Sequence, residues 1–176
     1  DGLYPGYGHT LGNSLRRIVL SSLPGAAITS IKIEGVNHEF STIEGVKEDV
    51  INIILNLKKV RFNIIGDEAQ TVNLKVKGIK DITAADIKLP GQVTISNTEA
   101  PILSITGKDT EIDMEIKIEK GIGFVAKEAL QKDRVEIGSM AMDAAFSPIV
   151  LANYDVEQMR VGDRTDFNKL KFYIKT

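Results

Sequence analysis

The stretch GYGHTLGNSLRRIVLSSLPGAA, Gly6 to Ala27, sets three glycines (Gly6, Gly8 and Gly12) ahead of an apolar run with two adjacent arginines. Leu11, Leu15, Ile18, Val19 and Leu23 recur at three- and four-residue spacing, which makes one stripe of an amphipathic helix. Thr10 reads as its N-cap and Pro24-Gly25 as its end. The glycines invite a phosphate-loop reading, because backbone amides ahead of a helix bind anions. A Walker loop ends Gly-Lys-Ser/Thr, whereas this one ends Gly12-Asn13-Ser14. A dinucleotide fingerprint follows an apolar strand, which DGLYP does not supply. The expectation is a tight turn, Gly6 to Gly12, that aims a helix.

On a wheel of 100° per residue the stripe centres near about 40° from Leu11, with Arg17 about 160° and Arg16 about 100° from that centre. Arg17 thus points outward with Asn13, Leu20 and Ser21, and Arg16 flanks the stripe. Leucine beside arginine on an outer face is the composition of a protein contact surface. A solvated arginine beside an incidental exposed leucine fits the wheel equally well.

A second helical stripe runs Val46, Val50, Ile53, Ile54, Leu57 and Val60, with Ser41 and Glu44 at capping-box spacing ahead of it. Lys58, Lys59 and Arg61 crowd its C-terminal end, where cations suit the helix dipole. Elsewhere the pattern alternates. SIKIEGV, TVNLKVKG and KLKFYIKT read as strands, and EIDMEIKIEKG places Ile112, Met114, Ile116 and Ile118 opposite a charged face. Many strands with two helices predict an α+β protein. Turn signals at Pro24-Gly25, Pro90-Gly91 and Ser147-Pro148 mark boundaries.

The 176 residues carry 22 basic and 24 acidic side chains, a net charge of −2. That balance lacks the basic excess of a free-standing nucleic-acid binder, although Arg16, Arg17, Lys58, Lys59 and Arg61 would be the footing of one. No cysteine is present, which is compatible with a cytoplasmic setting. Apolar runs such as VINIILNL are too short to cross a bilayer, so no membrane association is expected. The start at Asp1 carries no leader pattern and reads as a chain whose natural N-terminus has been removed. His9 and His38 lack metal-type companions, so no metal and no cofactor is expected. His38-Glu39 is the nearest approach to an acid–base pair. Asp81 and Asp86 read as turn and cap residues, and no nucleophile, base and oxyanion site converge. No catalytic residue is expected.

Gly6–Ala27, followed by HEFSTIEGVKEDVINIILNLKKV, resembles the N-terminal domain of the alpha subunits of bacterial RNA polymerase. ITAADI (Ile82 to Ile87), DAAFSPI (Asp143 to Ile149) and RVGDRTDFNKL (Arg160 to Leu170) agree in order along nearly the whole chain. The resemblance implies a discontinuous α+β dimerisation domain, residues 1–24 plus 149–176, with a mostly antiparallel β domain, residues 25–148, inserted in it. It implies a non-catalytic subunit that homodimerises and then recruits the large beta and beta-prime subunits. Arg17 and Leu20 would meet beta, with His38, Glu39, Phe40, Ser41 and Thr42 in the same contact region. Lys58 and the segment around Ala141 and Met142 would meet beta-prime. Leu11, Leu15, Ile18 and Val19 would serve the dimer.

Family members normally have a strand before this start and a further helix after KLKFYIKT. The dimer is therefore expected to be weak at micromolar concentration. The small C-terminal domain that touches promoter DNA lies outside the chain, so direct DNA binding is not expected of it.

Overall fold

The computed structural model describes residues 2–132 and 138–176. The chain runs α1 (Tyr7–Ser21), β1 (Pro24–Ile33), α2 (Val50–Leu57), β2 (Phe62–Ile64), β3 (Gln70–Lys77), β4 (Lys80–Thr83), β5 (Val93–Ile95) and β6 (Pro101–Ile105). It continues through β7 (Glu111–Ile122), β8 (Phe124–Val125), α3 (Lys127–Lys132), β9 (Ser139–Ala141), β10 (Ala144–Ala145), β11 (Leu151–Val161) and β12 (Arg164–Lys175). The fold is α+β, and it divides into two compact units. One joins Asp1–Pro24 to Ser147–Thr176, and the other is Gly25–Phe146.

The first unit is helix α1 laid on the antiparallel hairpin β11–β12. Its contact is made by glycine. A Cβ on Gly8 would stand 2.6 Å from Val156 Cγ1, and one on Gly12 would stand 2.5 Å from the Tyr154 ring. One further turn along, Arg16 Nε donates to the Ala152 carbonyl at 2.9 Å. Gly8, Gly12 and Arg16 thus step by four along the helix while Val156, Tyr154 and Ala152 step back by two along β11. Four helical residues rise about 6 Å, and two strand residues about 6.8 Å, so the two ladders stay in phase and antiparallel.

The start of α1 differs from the expected one. Thr10 is inside the helix, and the N-cap is Gly6, at φ 85°. Asn168, on β12, supplies the missing acceptor: its Oδ1 takes the amides of Gly6 at 2.8 Å and Gly8 at 3.3 Å. The Asn168 main chain also exchanges both hydrogen bonds with Leu3, at 2.9 and 2.7 Å. Gly6 alone is therefore a turn residue, while Gly8 and Gly12 are buried helical positions.

The second unit holds a four-stranded sheet ordered β3-β7-β1-β9, with the short pairs β2-β5, β4-β6 and β8-β10. Alternation in β7 buries Ile112, Met114, Ile116 and Ile118 as the pattern requires. Its wet face pairs with neighbouring lysines, as in Lys75–Asp113 at 2.8 Å. Asp86 is a cap: its Oδ2 accepts the Thr83 amide at 3.1 Å.

Helix α2 buries Val50, Ile53 and Leu57 completely. It is shorter than the apolar spacing predicts, because residues 46–48 are tied to β6 instead. Val46 bridges Ile105, the Lys47 amide donates to the Ser104 carbonyl at 3.0 Å, and the Ser104 amide donates to Glu48 Oε2 at 2.7 Å. The capping box read at Ser41 and Glu44 does not form, and Asp49 precedes the helix.

Adding a methyl group at Gly12 gains about 1 kcal/mol of helix propensity and loses about 1–3 kcal/mol to overpacking. Gly12→Ala is therefore expected to lower the urea midpoint. Asn13→Ala, one residue away on the outer face, is expected to leave it level or raise it.

Candidate interaction surfaces

Because α1 packs through its glycines, its apolar stripe is left outside. Leu11 is 39% exposed, Leu15 45% and Ile18 54%. On the wheel Gly8, Val19 and Gly12 fall at about 60°, 80° and 100° from Leu11. The inward face therefore centres on the glycines, well round from the leucines. Val19 is half-buried, as this geometry requires. Leu20 is also half-buried, which corrects its placement on the outward face: it flanks the packed face.

The two arginines separate. Arg16 is engaged by Ala152. Arg17 is exposed, and its guanidinium has no hydrogen bond or ion pair among the described residues; only its carbonyl is used, accepting from Ser21 Oγ at 2.7 Å. The His9 ring meets Tyr154 edge-on, with centroids 6.2 Å apart.

In the second unit, residues 38–42 form a loop fastened at several points. The Ser41 amide donates to the His38 carbonyl at 3.2 Å, and the Val50 amide donates to the Ser41 carbonyl at 3.2 Å. Ser41 Oγ and His38 Nδ1 lie 3.1 Å apart, and Glu39 pairs with Lys127 Nζ at 3.0 Å. Phe40, between these anchors, is 74% exposed, and Thr42 is exposed beyond them. The loop thus presents an uncovered phenylalanine from a backbone that is already fastened on both sides.

Lys58, the C-cap of α2, points its Nζ to Asp143 Oδ2 at 3.3 Å. Asp143 Oδ1 also accepts the Lys127 amide at 3.0 Å. One carboxylate thus ties the start of α3 to the end of α2, and Lys127 carries the connection on to Glu39. Ala141 and Met142 require a correction. Both are buried, at 5% and 2% exposure, and Ala141 pairs with Ser30 across β9 and β1. Their side chains do not reach a surface; in that segment Ala145 is exposed and Asp143 half-buried. Alternation does not signal this, because Met140, Ala141 and Met142 are buried in succession, which a period-two pattern does not produce.

The ion pairs shift these titrations in the expected senses. The Lys127 amide, with help from Lys58, holds the Asp143 carboxyl below its ordinary value, against a smaller opposing effect of burial. The Glu39 carboxylate raises Lys127. Among the described residues no group of three or more His, Cys, Asp or Glu is placed to hold a metal ion. No helix is long and apolar enough to cross a membrane.

Residues 31–147 match the family model of the RNA polymerase Rpb3/RpoA insert domain. Over all 176 residues the chain is 50% identical to the DNA-directed RNA polymerase subunit alpha of Hydrogenobaculum sp. (strain Y04AAS1), covering 55% of that protein. It is 49% identical over 176 residues to the subunit of the same name from Roseiflexus sp. (strain RS-1), of which it covers 54%. The corresponding subunit of Cutibacterium acnes (strain DSM 16379 / KPA171202) is likewise 49% identical, with 52% covered. The chain belongs to the RNA polymerase Rpb3/RpoA family, on its bacterial alpha-subunit branch. It spans about half the length of the curated relatives it matches.

An Asp143 pKa that is lowered on folding contributes stability above the unfolded value of 3.8 and loses it as pH falls through the lower folded value. Asp143→Asn is therefore expected to lower the urea midpoint near neutral pH, with the gap to wild type closing as pH falls below the unfolded value and through the lower folded one. A gap that stays constant with pH would assign the effect to packing rather than charge.

Proposed function

We propose that the chain is a non-catalytic assembly platform of bacterial RNA polymerase, which pairs with a second copy and scaffolds the beta and beta-prime subunits. The observation that carries this reading is the division of α1. One face packs on β11–β12 through Gly8 and Gly12, while Leu11, Leu15 and Ile18 remain exposed among the described residues. An apolar helical stripe of this kind is suited to a second copy of the same helix in an isologous contact.

Arg17 supports a separate contact to beta, because its guanidinium has no partner to release among the described residues. The pinned loop with Phe40 supports a further beta contact, made by the second unit. Lys58 supports contact with beta-prime, where the exposed face around it includes Asp143 rather than Ala141 or Met142. Relatives that carry the name of an RNA polymerase subunit agree with this role.

The test is capture of purified beta subunit by the full-length protein. Arg17→Ala is expected to leave the melting temperature and the self-association unchanged while weakening beta capture about tenfold, as loss of an interfacial arginine anchor does. Capture equal to wild type would remove Arg17 from the beta contact.

A further inference from the structure

Four charges of the second unit form one alternating row. Glu39 pairs with Lys127 Nζ at 3.0 Å, the Lys127 amide donates to Asp143 Oδ1 at 3.0 Å, and Lys58 Nζ donates to Asp143 Oδ2 at 3.3 Å. Glu39 belongs to the loop that presents Phe40, and Lys58 is the C-cap of α2. The row therefore joins two separate surfaces, with Lys127 and Asp143 as its shared middle. Its four side chains are between 30% and 39% exposed. Ion pairs this wet are held by little and can trade partners.

The middle of the row permits such a trade. The amide bond to Asp143 places the root of the Lys127 side chain beside that carboxylate. Its ammonium can therefore turn to Asp143 on a flexible four-carbon stem, without any movement of the backbone. The Lys127 charge acts on both carboxylates. Lys127 is raised first by Glu39, with smaller effects of Glu128 and Asp143. Asp143 is lowered first by the Lys127 amide, then by Lys58 and by the Lys127 ammonium, against burial. A carboxylate has acceptor sites for two ammonium groups, but like charges at one site repel. Asp143 gains Lys127 only by loosening Lys58, and Glu39 prevents this while it keeps the Lys127 ammonium for itself.

We propose that Lys127 is a switch between Glu39 and Asp143: a cationic group of a partner that takes Glu39 turns the Lys127 ammonium onto Asp143, which releases Lys58. The loop at Glu39 and the end of α2 are then coupled without a change of fold. The coupling is positive and reciprocal, so drawing Lys58 away from Asp143 also weakens the hold of Lys127 on Glu39. The inference rests on the reading of residues 38–42 as a contact with beta, and it adds to that contact a consequence elsewhere on the unit.

The test follows lysine acylation in the full-length protein by mass spectrometry. A lysine held by a carboxylate has to leave it before it attacks the reagent, so release reads as a faster rate. Lys59, whose Nζ is held by Asn56 Oδ1 at 3.3 Å outside the row, is the internal reference. Glu39→Gln is expected to raise the Lys58 rate relative to Lys59 about twofold, an effect within the reach of one exposed ion pair. Lys127→Met keeps the amide bond to Asp143, and in that background adding Glu39→Gln is expected to change nothing. A Lys58 rate unmoved by Glu39→Gln, or the same rise with and without the Lys127 ammonium, would overturn the switch. Saturating the wild type with purified beta subunit is expected to raise the Lys58 rate as Glu39→Gln does. A response to Glu39→Gln with none to beta would leave the switch standing and remove Glu39 from the beta contact.

Discussion

The close approach of helix α1 to the β11–β12 hairpin is the constraint on which the first unit depends. Two glycines let the helix backbone settle against Val156 and the Tyr154 ring, at separations where any Cβ would collide. The price in helix propensity, about 1 kcal/mol for each glycine, is met by contacts that a larger residue would push apart. The same approach brings the first helical amides to Asn168 and Arg16 to the Ala152 carbonyl. Capping, packing and arginine tethering are therefore three consequences of one geometry. Glycine inside and leucine outside inverts the usual arrangement of an amphipathic surface helix.

The second unit is organised differently. Its core is an ordinary aliphatic one, built from alternating strands and the buried face of α2. Its distinctive surface is held by polar groups that each serve two elements: Asp143 joins α2 to α3, Lys127 joins α3 to the loop at Glu39, and Asn97 grips the segment from Lys59 to Arg61. Exposed ion pairs of this sort add little stability singly. Their effect is to define where Phe40, Lys58 and Arg61 stand. Pre-positioning lowers the entropy a partner must overcome.

Much of the fold is legible in local pattern. The period-two alternation of β7 and the three- and four-residue spacing in α1 and α2 are properties of neighbouring residues, and they identify those elements correctly. What escapes is decided by residues distant in the chain. Asn168 caps a helix that begins more than a hundred residues earlier, so Thr10 was the only local candidate. Ser104 draws residues 46–48 away from α2. The leucine stripe of α1 is visible in sequence, but a wheel assigns it to the inside by default. Only the collision distances at Gly8 and Gly12 reveal that the packed face is elsewhere. Arg17 was separable from Arg16 on the wheel, whereas the burial of Ala141 and Met142 depends on the pairing of β9 with β1.

The proposed pairing requires that the leucine face of α1 be free for a second copy and not part of the chain's own core. Sedimentation equilibrium of wild type and Leu15→Glu, carried to concentrations at which the wild type associates, tests it most directly. Leu15→Glu is expected to abolish association while its melting temperature stays within a few degrees of wild type, as an exposed substitution should. Association unchanged by Leu15→Glu, or a collapse in melting temperature of the kind a buried charge produces, would contradict it.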